Sequence, residues 1–357
     1  MTPLQQYILA NGLTTIESEL GIKVYESGNL LGFKYNQIDS PKAHDVVMWS
    51  RGTVLEKDTY KLVAQPFKRF FNFGEQLAIT DNFAWDQPFT CTTKEDGSLI
   101  IMYFYDGQWR MNTSGSFAQT ELNFSGKTWE EYFWSVCKLD LSKMNTAYTY
   151  VFEMCSLENK IVRMYREPKV FLLGITDNAT VTELPFSEVQ KTDIGCEVVE
   201  CYPHLDTKEK VLAALAEFES KDPTFEGFVL RDINGLRIKL KSKTYVALHH
   251  MNDNGNLANP KRIVPFVIRG ETDELVAYFP EFKDRIAAVQ AAIDAEYAVL
   301  LPLYEATKDI AAQKDFALAI QGKTRFTGVL FTARKLNKHV KDVWAQSEDA
   351  IIKVMYS

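Results

Sequence analysis

The sequence contains few cysteines, and their spacing excludes the frameworks that cysteines usually build. There are five of them among 357 residues, and no two form a Cys-x-x-Cys pair: Cys91, Cys137, Cys155, Cys196 and Cys201. The five histidines are scattered as well, so no zinc-ligand spacing is present. An odd number of cysteines without a recognisable signal peptide leads us to expect free thiols in a reducing cytoplasm.

An excess of positive charge and long apolar runs are also lacking. Lys and Arg total 40 against 47 Asp and Glu, which gives a formal net charge of −7. This balance argues against a protein that binds nucleic acid over its whole surface. No apolar run approaches the roughly 18 residues of a membrane span, so we expect no membrane partner.

The pattern along the chain changes near residue 250. Before it, short apolar runs with turn signals alternate with helical segments, and Asp206-Thr207 is an expected N-cap for a helix at 208–220. After it, alanine-rich helical patterns cover 273–300 and 306–320, and 329–353 is expected to hold one or two more helices. The chain exceeds a typical single domain. We predict an α+β fold, with an N-terminal domain of antiparallel sheets and flanking helices at 1–248 and a mainly α-helical C-terminal domain at 249–357.

The segment Thr93-Lys94-Glu95-Asp96-Gly97-Ser98 is the most informative part of the sequence. Strands are expected on both sides of it, at 88–91 and 99–105. A lysine that attacks a nucleotide phosphorus must first lose a proton, and burial or nearby cations lower its pKa. Gly97 lets the backbone come close to a nucleotide, because it has no Cβ. Lys94 is therefore a candidate nucleophile, although charged residues before glycine are also common in hairpins.

Two carboxylates follow Lys94 at the ends of expected strands. Glu153 ends an aromatic and β-branched strand at 148–153, where it could meet a ribose hydroxyl. Glu226 opens a second strand at 225–230. Each carboxylate could lie beside the lysine in the folded protein.

The chain then returns through Asn234-Gly235 along a strand at 236–241. Strand alternation puts Arg237, Lys239 and Lys241 on one face. Three aligned cations suit a triphosphate and would lower the pKa of Lys94. A solvated edge strand protected by lysines has the same pattern, so both interpretations stay open.

These motifs occur in an order that resembles a known family. The segments are Lys94-Glu95-Asp96-Gly97-Ser98-Leu99, Phe152-Glu153, Phe225-Glu226-Gly227-Phe228 and Lys239-Leu240-Lys241-Ser242. They resemble motifs I, III, IV and V of the ATP-dependent covalent nucleotidyltransferases, and more narrowly those of the phage RNA ligase 1 group of tRNA-repair enzymes. The narrower resemblance rests on Lys34-Tyr35-Asn36, Ser50-Arg51-Gly52, Gln65-Pro66-Phe67-Lys68-Arg69-Phe70-Phe71-Asn72, Asn159-Lys160-Ile161-Val162 and Tyr245-Val246-Ala247-Leu248-His249.

The resemblance implies roles for individual residues. The implied catalytic residues are Lys94, Glu153, Glu226 and Tyr245, with Lys94 taking the adenylyl group. The implied ATP-binding residues are Tyr35, Arg51, Lys68, Arg69, Gly97, Glu153, Lys239 and Lys241. Mg²⁺ is expected on the phosphates. Asp273 and Glu274 match the metal-binding pair of the family. Acidic residues in a first helical turn also interact favourably with the helix dipole, so this alternative stays open. This chain departs from the family at Arg69 and at Ser114, where the family has lysines.

The implied function is an ATP-dependent RNA ligase that joins 5′-phosphate and 3′-hydroxyl ends through lysyl-AMP and adenylylated RNA. We expect cleaved tRNA as the substrate, a monomer, a cytoplasmic location (the host cytoplasm for a phage protein), an adenylyltransferase domain at 1–248 and RNA specificity at 249–357. Two basic clusters could bind RNA phosphates: Lys160, Arg163, Arg166 and Lys169, and Lys323, Arg325, Arg334, Lys335, Lys338 and Lys341.

Three alternatives remain open. An ATP-dependent DNA ligase or a GTP-dependent mRNA capping enzyme would share the motifs but would normally add a β-rich domain after motif V. An RNA-binding repair scaffold with an inactive site is the non-enzyme alternative. The ending Gly322-Lys323-Thr324 does not indicate a P-loop, because Ala317 stands where that motif needs glycine.

Overall fold

The computed structural model describes residues 1–36, 40–73, 78–122, 126–245, 248, 259–270, 272, 276 and 280–356. The chain divides into two compact units, Met1–Val246 and Ala247–Ser357. The first unit holds three mainly antiparallel sheets with flanking helices. In the described residues of the second unit, the regular elements are all helices. The predicted α+β class with a helical C-terminal region is confirmed.

The strands of the first unit are β1 (Ile22–Ser27), β2 (Leu30–Tyr35), β3 (Val54–Glu56), β4 (Leu62–Ala64), β5 (Phe71–Asn72), β6 (Phe89–Thr93), β7 (Ser98–Tyr105), β8 (Gln108–Thr113), β9 (Tyr148–Cys155), β10 (Lys169–Asp177), β11 (Thr182–Glu183), β12 (Glu197–Val198), β13 (Gly227–Asp232) and β14 (Arg237–Lys241). Its helices are α1 (Pro3–Asn11), α2 (Leu13–Leu20), α3 (Asp45–Met48), α4 (Ala78–Asp81), α5 (Trp129–Val136), α6 (Phe186–Val189) and α7 (Lys208–Lys221).

The N-terminal sheet has the order β1-β2-β3-β4 and packs against α1, α2 and α3. A capping box starts α1, because the Thr2 side chain accepts from the Gln5 backbone while the Gln5 side chain accepts from the Thr2 backbone. A buried apolar cluster that includes Phe33 of β2 joins these helices to the sheet. Since β2 ends at Tyr35, the sheet fixes the position of that ring.

The other two sheets carry the motif residues. One has the order β11-β10-β9-β7-β8, with β12 beside β10, and the other has the order β5-β14-β13-β6. Leu99 of β7 pairs with Glu153 of β9, and Phe228 of β13 pairs with Thr93 of β6. Motif I crosses from one sheet to the other between β6 and β7. The strands predicted around Lys94 and at the later motifs are present within a few residues of their expected bounds.

The helix predicted at 208–220 is also present and is capped as expected. The Thr207 hydroxyl accepts from the Lys210 backbone at 3.3 Å. This helix, α7, covers the face of the second motif sheet that buries Phe228. The opposite face of that sheet is therefore left for Lys94, Lys239 and their neighbours.

The second unit contains α8 (Val264–Arg269), α9 (Lys283–Thr307), α10 (Gln313–Ile320), α11 (Thr327–Leu336), α12 (Val340–Trp344) and α13 (Glu348–Tyr356). These helices share one buried apolar cluster. The helix predicted at 306–320 is wrong in its start, because α9 runs through Thr307 and α10 begins only at Gln313. The segment 329–353, expected to hold one or two helices, holds parts of three, because Asn337 ends α11 in a left-handed conformation.

Helix α9 is long and apolar enough to span a membrane, by length and composition only. The sequence expectation of no such segment therefore needs correction. In helix α9, Asp294 and Glu296 interrupt the apolar sequence. Ile286, Val289, Ile293 and Leu300 are buried in the core of the second unit, and 22% of the most apolar stretch of the helix is buried.

Candidate active site

The amine of Lys94 lies against a buried carboxylate. Its Nζ is 2.9 Å from Oε2 of Glu226, and the other oxygen of Glu226 is 2.8 Å from Nζ of Lys241. Glu226 is only 3% exposed. The Lys94 backbone donates to the Gly227 carbonyl at 2.9 Å, which ties motif I to the start of β13. One carboxylate thus holds the expected nucleophile and a motif V cation side by side.

Glu153 approaches motif I from the other sheet. Its Oε1 accepts from the Gly97 backbone at 3.2 Å. A Cβ at position 97 would lie 2.4 Å from the Met154 carbonyl oxygen, so any larger residue would force the strands apart. Burial raises the pKa of Glu153 to about 7, although the charge of Lys94 opposes this. Gly97 is therefore required by strand packing.

The prediction that the pKa of Lys94 is lowered is wrong. Burial does lower it, but the charges of Glu226, Glu153 and Asp96 outweigh burial, and the net pKa of Lys94 is raised. Lys241, one of the cations expected to lower it, is paired with Glu226 instead. The ammonium form of Lys94 is favoured until a ligand alters this balance.

Asp96 organises the motif I loop, a role that sequence reasoning missed. Its carboxylate accepts from the backbones of Val162 and Arg163 at 2.9 and 2.6 Å, and from the Tyr245 hydroxyl at 2.7 Å. Asp96 and Tyr245 are 2% and 1% exposed. A buried carboxylate with three donors is stabilised by all of them. Tyr245 thus supports the loop through Asp96 instead of facing the cavity, and no local pattern could show a contact between residues so far apart.

A cavity of about 460 Å³ opens beside Lys94. Among the predicted residues, it is lined by Tyr35, Arg51, Lys94, Gly97, Glu153, Lys239 and Lys241. Side chains from all three sheets contribute to its walls. The structure therefore brings together residues that are widely separated in the sequence.

Lys68 and Arg69 do not line this cavity. They border a second cavity of about 390 Å³, which shares Phe70 and three charged residues with the first. The Lys68 amine lies 4.3 Å above the Trp49 ring, and the Arg69 guanidinium lies 4.0 Å above the ring of Tyr35. Cation–π contacts of this kind position a charged group over an aromatic ring.

Arg237 differs from the other two cations of β14. Its guanidinium pairs with Oε1 of Glu183 at 2.5 Å and stacks 3.8 Å above the Phe67 ring. Arg231 lies 3.5 Å from the other Glu183 oxygen. Burial alone would raise the pKa of Glu183, but Arg237 and Arg231 outweigh it and lower that pKa. Arg237, Lys239 and Lys241 line one cavity, as strand alternation predicted. Arg237 in addition joins the two motif sheets through Glu183.

Two further cations of the first cavity, Arg51 and Lys239, suit an anionic ligand. Arg51 lines the first cavity, and its Nη1 is buried without a hydrogen-bond partner in the described part of the chain. Buried donors normally have partners, so this nitrogen leaves one bond for a ligand. Lys239 lies in the same wall, with its amine 5.8 Å from the Phe70 ring centre. These features fit a polyphosphate.

The metal site predicted at Asp273 and Glu274 lies outside the described residues. Within the described ranges, no group of three or more His, Cys, Asp or Glu side chains could hold a metal ion. Mg²⁺ on a nucleotide needs few protein ligands and keeps several waters, so ATP binding does not require such a group.

Residues 49–245 match the family model described as RNA ligase. This match covers more than half of the chain, and the chain belongs to the RNA ligase family. The predicted resemblance is confirmed at this level.

Two relatives show how far the likeness extends. The "Putative bifunctional polynucleotide kinase/RNA ligase" of Autographa californica nuclear polyhedrosis virus is 32% identical over 74% of this chain. The RNA ligase of Rhodothermus phage RM378 is 28% identical over 43% of this chain. The chain spans only 40% and 43% of the length of these two proteins.

Among solved structures, an archaeal ATP-dependent RNA ligase is similar in fold. It superposes with a TM-score of 0.50 at 13% identity, over 84% of this chain and 83% of that one. At this identity the likeness concerns the fold alone. It agrees with the α+β architecture described above.

Proposed function

We propose that this protein is an ATP-dependent RNA ligase that uses Lys94 as its nucleophile. The observation that carries the proposal is the Lys94 amine, held 2.9 Å from buried Glu226 at the wall of the cavity that Arg51 and Lys239 also line. The buried Glu226 carboxylate orients the amine, while the cations of the cavity wall attract the phosphates of a nucleotide. Membership of the RNA ligase family supports RNA as the substrate.

In the first step, the neutral Lys94 amine attacks the α-phosphorus of ATP. A nitrogen–phosphorus bond forms, the bond to pyrophosphate breaks, and the lysine proton leaves to solvent or to a carboxylate. Glu226 keeps Lys241 beside Lys94, where its charge can stabilise the α-phosphate oxygens in the transition state. Mg²⁺, when bound, would neutralise the polyphosphate and make pyrophosphate a better leaving group.

The second and third steps transfer the AMP and join the RNA. An RNA 5′-phosphate oxygen attacks the phosphoramidate and releases the Lys94 amine. A 3′-hydroxyl then attacks the activated 5′-phosphate, forms the phosphodiester and releases AMP. Attacking and leaving groups lie in line in such transfers, so the RNA phosphate enters where pyrophosphate departed. The same cations therefore serve successive steps.

We assign residues 1–248 to adenylyl transfer and residues 249–357 to RNA specificity. We further propose that the substrate is a broken tRNA and that the enzyme is a monomer in the cytoplasm. The exposed lysines of the C-terminal basic cluster support this assignment: Lys323, Lys335, Lys338 and Lys341. Arg334 does not belong with them, because its guanidinium donates to the carbonyls of Ile310 and Ala311 and stacks 4.7 Å from the Phe316 ring centre. It holds helices together.

The proposal is tested by incubating the protein with labelled ATP and Mg²⁺, followed by denaturing electrophoresis. Label at the α-phosphate should stay on the protein and be lost in acid, as expected of a phosphorus–nitrogen bond. Label at the γ-phosphate should leave with pyrophosphate and serves as the control. Lys94→Ala should retain neither label, whereas α-label on that variant would remove Lys94 from the mechanism. RNA with a 5′-phosphate should then be joined, and RNA with a 5′-hydroxyl should not.

A further inference from the structure

The rim of the nucleotide cavity contains a close contact between a lysine and a glycine. A Cβ at Gly115 would lie 2.5 Å from Cδ and 2.6 Å from Nζ of Lys34. Such distances do not occur in packed proteins, so the absence of a side chain at 115 is what allows Lys34 to lie across that backbone. Lys34 is an exposed residue of β2, immediately before Tyr35 of the cavity wall.

The turn beneath Lys34 is well ordered. The Thr113 hydroxyl accepts from the backbones of Gly115 and Ser116 at 3.2 and 3.1 Å. The Thr113 backbone also donates to the Ser116 carbonyl at 2.8 Å. A turn held by side-chain-to-backbone bonds offers a fixed surface, so it can define the path of a long side chain. Ser114, in the middle of this turn, lines the nucleotide cavity.

The same edge of the cavity includes the Arg51 loop. The Gly52 backbone donates to the Phe33 carbonyl at 2.9 Å, which places this loop beside Lys34. A Cβ at Gly52 would be 3.2 Å from Cα of Ser114, so the loop also touches the turn. The Arg51 loop and the Lys34 side chain thus both lie against this turn. In the part of the chain that the structure describes, no carboxylate pairs with Lys34.

We propose that Lys34 is a phosphate-binding residue of this ligase and supplies the ammonium group that the family carries at the position of Ser114. A lysine side chain that starts from β2 and crosses Gly115 brings its charge to the edge that a lysine at 114 would also reach. The ligand is a phosphate group, either of the ATP polyphosphate or of the RNA 5′ end. This inference rests on the proposed function.

A set of matched variants tests it. Lys34→Ser removes the amine, and the double variant Lys34→Ser with Ser114→Lys returns an amine to the same edge. Lys23→Ser is the control, because Lys23 is exposed and pairs directly with Lys34 across the strands. Two rates are measured for each protein: retention of α-label from ATP, and transfer of AMP from precharged enzyme to an RNA 5′-phosphate. Thermal unfolding midpoints confirm that each variant folds.

Lys34→Ser should slow at least one rate by roughly tenfold to a hundredfold, the size of one charge-assisted hydrogen bond. The slowed rate identifies ATP or RNA as the source of the phosphate. The double variant should recover most of that loss, and Lys23→Ser should match the unchanged protein. Normal rates for Lys34→Ser, or no recovery in the double variant, would overturn the proposal. An unchanged protein that takes no label would instead refute the proposed function itself.

Gly115→Ala supplies an independent check of the contact. In the natural background, the added methyl group should displace Lys34 and slow the same rate as Lys34→Ser. In the double variant, position 34 is serine, so the methyl group meets no lysine and should have little effect. Equal slowing in both backgrounds would show that the contact with Lys34 is not what matters, and would overturn the proposal.

Discussion

Replacing Glu153 by glutamine should stabilise the protein while impairing its charging by ATP. The pKa of Glu153 rises from 4.5 to about 7. At about 1.4 kcal/mol per pKa unit, folding disfavours the ionised carboxylate by about 3 kcal/mol relative to the protonated form. The side chain is partly open to the cavity, so water relieves part of this cost. We expect Glu153→Gln to gain about 2 kcal/mol above pH 7, or about 4–8 °C in midpoint. Glutamine can still accept from the Gly97 backbone.

The sign of the pH dependence follows from the direction of the pKa shift. A carboxyl group with a raised folded-state pKa costs nothing below its unfolded pKa, near 4.5, and costs most above about pH 7. The gain of Glu153→Gln should therefore shrink by more than half between pH 8.5 and pH 5.5. Urea or thermal unfolding of the first unit at both values, followed by tryptophan fluorescence, measures this difference.

Glu183→Gln is the matched control, because the pKa of Glu183 is lowered. Its carboxylate contributes stability that is present above pH 4.5 and lost as pH falls. This variant should be destabilised at pH 8.5, most visibly in unfolding of the sheets that Arg237 joins. The interpretation that burial destabilises the ionised Glu153 carboxylate would be refuted by either of two results. One is a lower unfolding midpoint for Glu153→Gln at pH 8.5, and the other is an equal gain in stability at both pH values.

Three further predictions concern charging and substrate choice. Glu226→Gln should lower the pKa of Lys94 and move the pH–rate profile of charging to lower pH by about 1–2 units, even if the maximal rate falls; an unmoved profile would contradict this. Charge reversal at Lys335 and Lys338, with Arg334 left intact, should weaken sealing of a broken tRNA stem-loop more than joining of oligo(A), especially at higher salt; equal losses would assign the region to catalysis. ATP should label the protein and GTP should not; charging by GTP, or sealing only of nicked duplex DNA, would favour a capping enzyme or a DNA ligase.

Local patterns predicted the elements that hold the motifs. The strands around Lys94 and the cap at Thr207 follow from alternation and capping chemistry, which depend on residues close in sequence. The same local information could not show that Glu183 neutralises Arg237, since 54 residues separate them. It also failed for the pKa of Lys94, which depends on carboxylates brought in by three different strands or loops. Sequence patterns therefore could not identify the distant partner of each charged residue.

The helix bounds of the second unit show a related limit. Alanine-rich composition favours helix without specifying where helices stop. The end of α11 depends on Asn337 in a left-handed conformation, and the segment after α9 is fixed partly by Arg334, which binds carbonyls there. Such contacts come from the tertiary structure.

The bond from Tyr245 to Asp96 has a practical consequence for dissecting this protein. Tyr245 is the penultimate residue of the first unit, which ends at Val246. A fragment that stopped before Tyr245 would still contain Lys94, Glu153, Glu226 and Lys241, and would seem complete by its motifs. It would nevertheless leave the buried Asp96 carboxylate without its hydroxyl donor, at a cost of about 1–3 kcal/mol. The motif I loop is therefore completed by a tyrosine that follows the last motif cation in the sequence and acts through a hydrogen bond to Asp96.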